Sequence, residues 1–202
     1  MFVGHYGAAF LAKRAEPRAP LWALLLAVMW VDVMWAIFLF AGLERARVDP
    51  SLPGFPVDLE HMPYTHSLVA TVAWAALGFL VARHAFGWPL GVAVAIGAAV
   101  GSHWFHDLPV HRPDLPLVWG EPKLGLGLWN YPTPELALEI AWLLTTVLVL
   151  VRSKAVDEPM PPATQSGAGY LVEPFILSRQ GGGAPRSVTI RRRRNAPSTR
   201  RS

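Results

Sequence analysis

Long apolar stretches separated by polar segments dominate the first 150 residues of the chain. The first stretch, residues 21–43, is 23 residues long, and Asp32 is its only charged residue. A helix of about 20 such residues crosses the hydrocarbon core of a bilayer. Shorter stretches follow at 66–81, 88–105 and 136–151, each bounded by segments with charged residues, proline or glycine. The pattern predicts four transmembrane helices.

The composition supports this interpretation. Hydrophobic residues make up 52% of the 202 residues and charged residues 16%, and nine residues are tryptophan. One membrane domain is the expected organisation. We therefore predict an all-α integral membrane protein with about four transmembrane helices, a short N-terminal helix and a disordered basic tail.

The C-terminal tail differs from the rest of the chain in charge. Residues 1–152 carry nine Lys/Arg against eleven Asp/Glu, whereas residues 153–202 carry nine against three. The tail also contains Pro-Met-Pro-Pro, Gly-Gly-Gly and four consecutive arginines at 191–194. These features predict a membrane domain at 1–152 and a disordered tail at 153–202. A solvated tail is favoured over one that binds anionic lipid, and no sequence-specific nucleic-acid binding is expected.

Basic residues near the ends of the predicted spans indicate the topology. They are enriched in cytoplasmic connections, which favours a cytoplasmic position for both termini and for the connection between the second and third spans. Supporting this orientation are Lys13, Arg14, Arg18, Arg83, Arg152 and Lys154, whereas Arg45, Arg47, Arg112 and Lys123 oppose it.

His103, Asp107 and His111 recur every fourth residue at the end of the third span. Residues four apart share one face of a helix, so an imidazole and a carboxylate can approach one ion. Because Pro109 restricts the helix, we expect only His103 and Asp107 on it, with His111 just beyond its end. No cysteine is present, which leaves His, Asp and Glu as the available metal ligands.

Other ionisable residues lie in or near the spans. An aspartate at a helix centre costs about 2.5–3.5 kcal/mol to insert, so Asp32 needs a metal ion, a histidine, a proton-relay neighbour or a structural hydrogen bond. His61 and His66 flank Pro63 before the second span, and Ser67 or Thr65 could cap that helix. The remaining candidates for a site with one or two ions are His5 near the N-terminus and Glu139 in the fourth span.

Some polar and aromatic residues have ordinary interpretations. His84 and His106 are not assigned to the site, and Glu135 is expected at the membrane boundary. Trp129 and Asn130 are candidates for an aromatic wall and a polar substrate contact, although an interfacial tryptophan is the commoner explanation.

Several short motifs, in order, resemble one family. They are Gly-His at residues 4–5, an aspartate in the first span, H-x-x-x-THS at 61–67, SH-x-x-x-D at 102–107, and HRPDLPLVWGEPKLGLGLWN at 111–130. Over roughly residues 1–150 the chain resembles bacterial membrane-bound metal-dependent hydrolases, which include a LexA-regulated inner-membrane protein. That family is distantly similar to zinc-dependent phospholipase C.

The resemblance implies an inner-membrane enzyme that uses a divalent metal, with zinc favoured, to hydrolyse a phosphoester of a lipid or envelope component. Asp107 or Asp32 could alternatively act as the base. Glu135 stands where the pattern would have a histidine. The ligands that the resemblance implies are His5, Asp32, His61, His66, His103 and Asp107, with His111 and Glu139 as further members.

Two other functions fit the same residues. Intramembrane aspartate and histidines also occur in a noncatalytic metal-binding protein or in one that conducts ions or protons. A structural scaffold whose basic tail recruits partners is a third alternative. The sequence leaves the substrate, the number of ions and the oligomeric state open.

The composition of the tail leads to a direct test. Deletion of residues 153–202 should leave membrane insertion and metal content unchanged, because this segment has too few apolar residues to form a core. Fractionation and metal analysis of the truncated protein would check this. A truncated chain that failed to insert would place the domain boundary elsewhere.

Overall fold

The computed structural model describes residues 3–153, and most of them are helical. The prediction of a mainly helical chain is confirmed, including the short N-terminal helix. The predicted tail at 154–202 lies outside the described residues. A π-helical turn, Val81–Ala85, extends the third helix. The five α-helices are α1 His5–Ala15, α2 Leu21–Phe40, α3 Leu68–Leu80, α4 Leu90–Val110 and α5 Pro132–Val151.

Two short antiparallel hairpins occupy connections in which we expected no regular structure. In the α2–α3 connection, β1 (Arg45–Val48) pairs with β2 (Val57–His61). In the α4–α5 connection, β3 (Leu115–Pro116) pairs with β4 (Lys123–Leu124). The alternation of apolar and charged residues in β2 is the local signal for a strand.

Three helices are long and apolar enough to cross a membrane: Leu21–Phe40, α3 with its π-helical extension (Leu68–Ala85), and Pro132–Val151. They correspond to the first, second and fourth predicted spans. The third predicted span lies in α4, which continues through Pro109 to Val110. Its C-terminal half is more polar because it contains Ser102, His103, His106 and Asp107.

Helix α4 lies at the centre of the bundle and packs against α1, α2 and α3. Its contact with α3 depends on small residues. A Cβ at Gly97 would lie 3.0 Å from the carbonyl oxygen of Ala75, and one at Gly101 would lie 3.3 Å from the Ala75 Cβ. The Gly-x-x-x-Gly pair is therefore a packing face, as expected for closely approaching helices.

The two hairpins lie at the same end of the bundle, which we call the hairpin end. The Arg112 guanidinium joins the two connections, since it donates hydrogen bonds to the carbonyl oxygens of Pro53, Phe55 and Val57. At the opposite end, the Trp22 ring meets the Trp88 ring at a centroid distance of 6.1 Å.

Helix α1 packs beside α2, α4 and α5. The Trp142 indole of α5 donates a hydrogen bond to the Gly4 carbonyl oxygen, and a Cβ at Gly7 would collide with the same ring. Near the other end of α1, the buried Lys13 ammonium donates to the Ala19 carbonyl oxygen. Residues 5–15 thus pack among the helices.

The Gly97 contact generates a stability prediction. Gly97→Val should lower the free energy of unfolding by about 1–3 kcal/mol, because the added side chain overpacks the α3–α4 contact. Gly120→Val is the matched control, since nothing lies within 4 Å of a Cβ there. Unfolding in detergent would measure both variants. Equal stability of the two would contradict the proposed close packing.

Candidate metal centre

The Asp107 carboxylate lies at the centre of a buried group of histidines. The Nε2 atom of His5 in α1 is 3.2 Å from its Oδ1 atom. Its Oδ2 atom faces the Nε2 atoms of His103 at 3.1 Å, His111 at 3.6 Å and His66 at 3.8 Å. The side chain of Asp107 is only 2% exposed. Four histidines from three parts of the sequence therefore converge on one carboxylate.

Asp32 completes this arrangement from α2. Its Oδ1 atom is 3.5 Å from the Nε2 atoms of both His66 and His103. Four ligands placed tetrahedrally around zinc at about 2.0–2.1 Å would be about 3.3–3.4 Å apart. The measured Nε2-to-oxygen distances for His66 and His103 run from 3.1 to 3.8 Å and so bracket this value. The donor atoms of Asp32, His66 and His103 could therefore hold one ion, and the Oδ2 atom of Asp107 lies beside the two histidines.

The hydrogen bonding of His103 points to a cation in the same place. Its Nδ1 atom lies 3.0 Å from the Val28 carbonyl oxygen, which can only accept, so Nδ1 carries a proton. In the neutral imidazole, Nε2 is then a lone pair, and it faces two carboxylates. It has no hydrogen-bond partner among the described residues. The Nε2 lone pair and the carboxylate oxygens are all acceptors, so a metal ion or a second proton at Nε2 is needed between them. A metal-binding histidine usually donates its other N–H to an acceptor, as Nδ1 of His103 does to the Val28 carbonyl oxygen.

His111 and His5 lie on either side of this set. His111 follows the end of α4, as predicted, and its Nδ1 atom is 2.8 Å from the Asp114 carboxylate. The His5 ring stacks on the His103 ring at a centroid distance of 4.0 Å. Burial lowers the pKa of His111 and lowers the pKa of His5 to about 4. Both rings are therefore neutral at pH 7, the form that binds metal.

Two overlapping groups of ligand atoms meet the geometric requirement for holding an ion. In each group all the donor atoms lie within 4.8 Å of one another. His103 belongs to both. The groups are His5, His103 and Asp107, and Asp32, His66 and His103.

The structure does not bring His61 into either group. His61 ends β2, where it pairs with Arg45, and its ring lies against Tyr64. Helix α3 begins only at Leu68, so His61 and His66 are separated by a turn and do not share a helical face. Of the two predicted capping residues, Ser67 caps α3 by accepting from the Ala70 N–H.

Glu139 lies close to the cluster without belonging to either group. Its side chain is buried, and its Oε2 atom accepts a hydrogen bond from the Val3 N–H. Glu139 lines the same cavity as Asp107, and Glu135, which we expected only at the membrane boundary, lines it too. Both carboxylates therefore lie in the wall of the cavity beside the site.

A cavity of about 450 Å³ opens onto the cluster. Its wall includes the apolar rings of Trp35, Phe55 and Trp129, and none of the described Lys or Arg side chains lines it. Trp129 thus forms the aromatic wall that the sequence suggested. Asn130 accepts a hydrogen bond from Arg112 through its Oδ1 atom and is not among the described residues that line this cavity.

His84 and His106 lie outside both groups, in agreement with their omission from the predicted site. His84 is exposed in the π-helical turn after α3, and the Nδ1 atom of His106 is bonded to the Ser102 carbonyl oxygen. The sequence did not identify Glu44 or Asp114. Asp114 is hydrogen-bonded to Nδ1 of His111 directly, and Glu44 is linked to Nδ1 of His66 through the Thr65 hydroxyl. The Asp three residues after His111 was the one local signal.

Comparisons with known proteins found no family model, curated protein or solved structure that matches this chain. The resemblance drawn from short motifs therefore stays a proposal. That buried His and Asp side chains of the cluster could hold a metal ion follows from their positions alone, without any related protein.

The shared geometry predicts how metal binding responds to substitution. His103→Ala or Asp107→Ala should each lower metal affinity by more than about 100-fold, since changes to outer residues alone cost about 10- to 100-fold. The double variant should be little worse than either single one, because the ligands act as one unit.

Metal analysis and chelator competition on the purified protein would measure these changes. His84→Ala is the control and should keep its metal content, because His84 lies outside both ligand groups. Folded His103→Ala and Asp107→Ala proteins with full metal occupancy would eliminate this site.

Proposed function

We propose that this protein is a membrane-bound, metal-dependent hydrolase that acts on a phosphoester of a lipid or envelope component. The observation that carries the proposal is the convergence of histidine Nε2 atoms and two carboxylates at a cavity with apolar walls. A pocket with mainly apolar walls and a few convergent polar groups is the usual form of a ligand-binding or active site.

Zinc is the metal that the donor set favours. Imidazole nitrogens and carboxylate oxygens in a four-coordinate arrangement suit zinc, and the chain has no cysteine to provide thiolates. A bound divalent ion supplies Lewis acidity and lowers the pKa of coordinated water to about 7. In this proposal Asp32, His66 and His103 hold the ion, and Asp107 belongs to the adjoining group with His5.

The carboxylates divide into two roles. Asp32 and Asp107 each face at least two imidazoles, which favours the ligand role over the alternative role of base. Glu139 is placed differently, because it lines the cavity without entering either ligand group. We assign proton transfer during hydrolysis to Glu139, which is within the cavity that would receive the substrate.

The surface and the cavity support a lipid-like substrate. Exposed apolar side chains are spaced along α2, including Leu26, Val33 and Ile37, and α5 presents a similar face. Apolar surface of this extent is suited to lipid. In our proposal α2, α3, α4 and α5 cross the inner membrane, with α4 packed against α2 and α3. The apolar cavity wall would accommodate the hydrocarbon part of an amphiphile beside the metal-binding groups.

Ion or proton conduction is the second candidate, because Asp32 and its histidines lie within a predicted membrane domain. A conducting protein needs polar groups along its whole path. Between the cluster and the opposite end, the described core is formed by apolar side chains such as Leu24, Val28 and Ile96. The cavity supports hydrolysis better.

Reconstituted protein separates the two functions. Wild type loaded with zinc should release product from a phosphoester lipid in mixed vesicles, and Asp107→Asn should reduce the rate by more than about 100-fold through loss of a ligand. His84→Ala should retain the wild-type rate. Metal or proton flux that Asp32→Asn abolishes, with no product formed from any phosphoester, would favour conduction instead.

Topology can be tested separately, since the chain has no native cysteine. We expect a membrane-impermeant thiol reagent to label Gly120→Cys, near the hairpin end, from the outside of intact cells. His84→Cys should be labelled only after the membrane is opened, because the basic residues favour a cytoplasmic position for that end. The reverse pattern would invert the proposed orientation.

A further inference from the structure

Glu44 is a buried carboxylate that the ligand set does not use. It lies just after α2, and its side chain is 1% exposed. Its Oε1 atom accepts hydrogen bonds from the backbone N–H groups of Tyr64 at 2.8 Å and Thr65 at 3.0 Å. Its Oε2 atom accepts from the Thr65 hydroxyl at 2.6 Å. Three donors thus hold the carboxylate in one orientation.

These contacts determine the direction of the next hydrogen bond. A hydroxyl group has one proton, and the Thr65 proton is directed to Glu44. The Thr65 Oγ1 atom can then only accept from the Nδ1 atom of His66, which is 2.8 Å away. Nδ1 of His66 therefore carries a proton. In the neutral ring, Nε2 is left as the lone pair that faces Asp32 and Asp107.

We propose that Glu44 and Thr65 are positioning residues that select the metal-binding tautomer of His66. This inference rests on the proposed metal centre, but it concerns hydrogen bonds among the protein's own side chains. Glu44 acts through Thr65 and touches neither the site nor the cavity. Its effect is to keep a proton away from Nε2, the nitrogen that a metal ion would bind.

Two other site histidines, His103 and His111, support this interpretation. The Nδ1 atom of His103 faces the Val28 carbonyl oxygen at 3.0 Å, and that of His111 faces the Asp114 carboxylate at 2.8 Å. Three chemically different acceptors therefore hold the same nitrogen of three rings. In each case Nε2 points to Asp107. Only His66 reaches its buried carboxylate through an intervening hydroxyl.

Glu44→Gln tests the direction of the relay with almost no change in shape. The amide oxygen can still accept from the Tyr64 and Thr65 N–H groups. The amide nitrogen would then donate to the Thr65 hydroxyl, which would turn its own proton towards Nδ1 of His66. The His66 proton should consequently move to Nε2, and a ring in that form cannot bind metal through Nε2.

The tautomers can be read in the metal-free, full-length protein in detergent by ¹⁵N NMR of labelled histidine. Wild type should show His66 protonated at Nδ1, and Glu44→Gln should show it protonated at Nε2. His111 is an internal reference and should stay protonated at Nδ1 in both proteins. Glu60→Gln, at an exposed carboxylate of β2, is the matched control and should leave the His66 signals unchanged.

Affinity for zinc, measured by chelator competition, is the second readout. Glu44→Gln and Thr65→Val should each lower it roughly 10- to 100-fold, the usual effect of losing an outer-sphere partner. Thr65→Ser keeps the hydroxyl and should restore both the Nδ1 tautomer and the affinity. If Glu44→Gln does not fold, the contrast between Thr65→Val and Thr65→Ser still decides the question.

The outcomes distinguish this inference from the proposed function. A Glu44→Gln protein that keeps the Nδ1 tautomer and wild-type affinity would overturn the relay. Equal losses of affinity in Thr65→Ser and Thr65→Val would overturn it too. If wild type shows the Nδ1 tautomer but binds no zinc, the metal function fails while the hydrogen-bond direction stands.

Discussion

The structure depends on the placement of a carboxylate, Asp107, in the middle of an apolar helical bundle. Removing an unpaired carboxylate from water is too costly for a stable fold, so a buried charge must have cationic or hydrogen-bonding neighbours. Asp107 is surrounded by imidazole nitrogens, and Asp32 brings a second carboxylate to two of the same rings. A cation beside Nε2 of His103 would satisfy the lone pair that faces both carboxylates.

The rest of the fold holds this group in place. Helix α4 carries His103 and Asp107 one turn apart, and it can lie centrally because Gly97 and Gly101 let α3 approach closely. The two hairpin connections bring His66 and His111 to the same end of the bundle, where Arg112 joins them through backbone carbonyls. The contacts that pack the helices and join the connections therefore also position the candidate ligands.

The sequence predicted a site residue best where the signal lay within one apolar span or between residues four positions apart. The spacing of His103 and Asp107 and the isolated Asp32 in an apolar span identified the centre of the cluster. The long apolar stretches also predicted α2, α4 and α5 closely. Glu44 could not be identified in this way, because its partners lie 20 and 21 residues further along the chain and meet it only after folding. His61 was expected among the ligands from the H-x-x-x-THS motif, but it ends β2, and its ring lies against Tyr64.

The two oxygens of Asp107 also bear on how many ions the cluster can hold. Oδ2 faces His66, His103 and His111, whereas Oδ1 faces His5. His103 belongs to both groups of ligand atoms, but the one lone pair on its Nε2 atom can bind only one ion. An ion beside Asp32 and His66 would therefore leave His5 and Oδ1 of Asp107 to a second ion. That second position would need a further ligand besides His5 and Asp107.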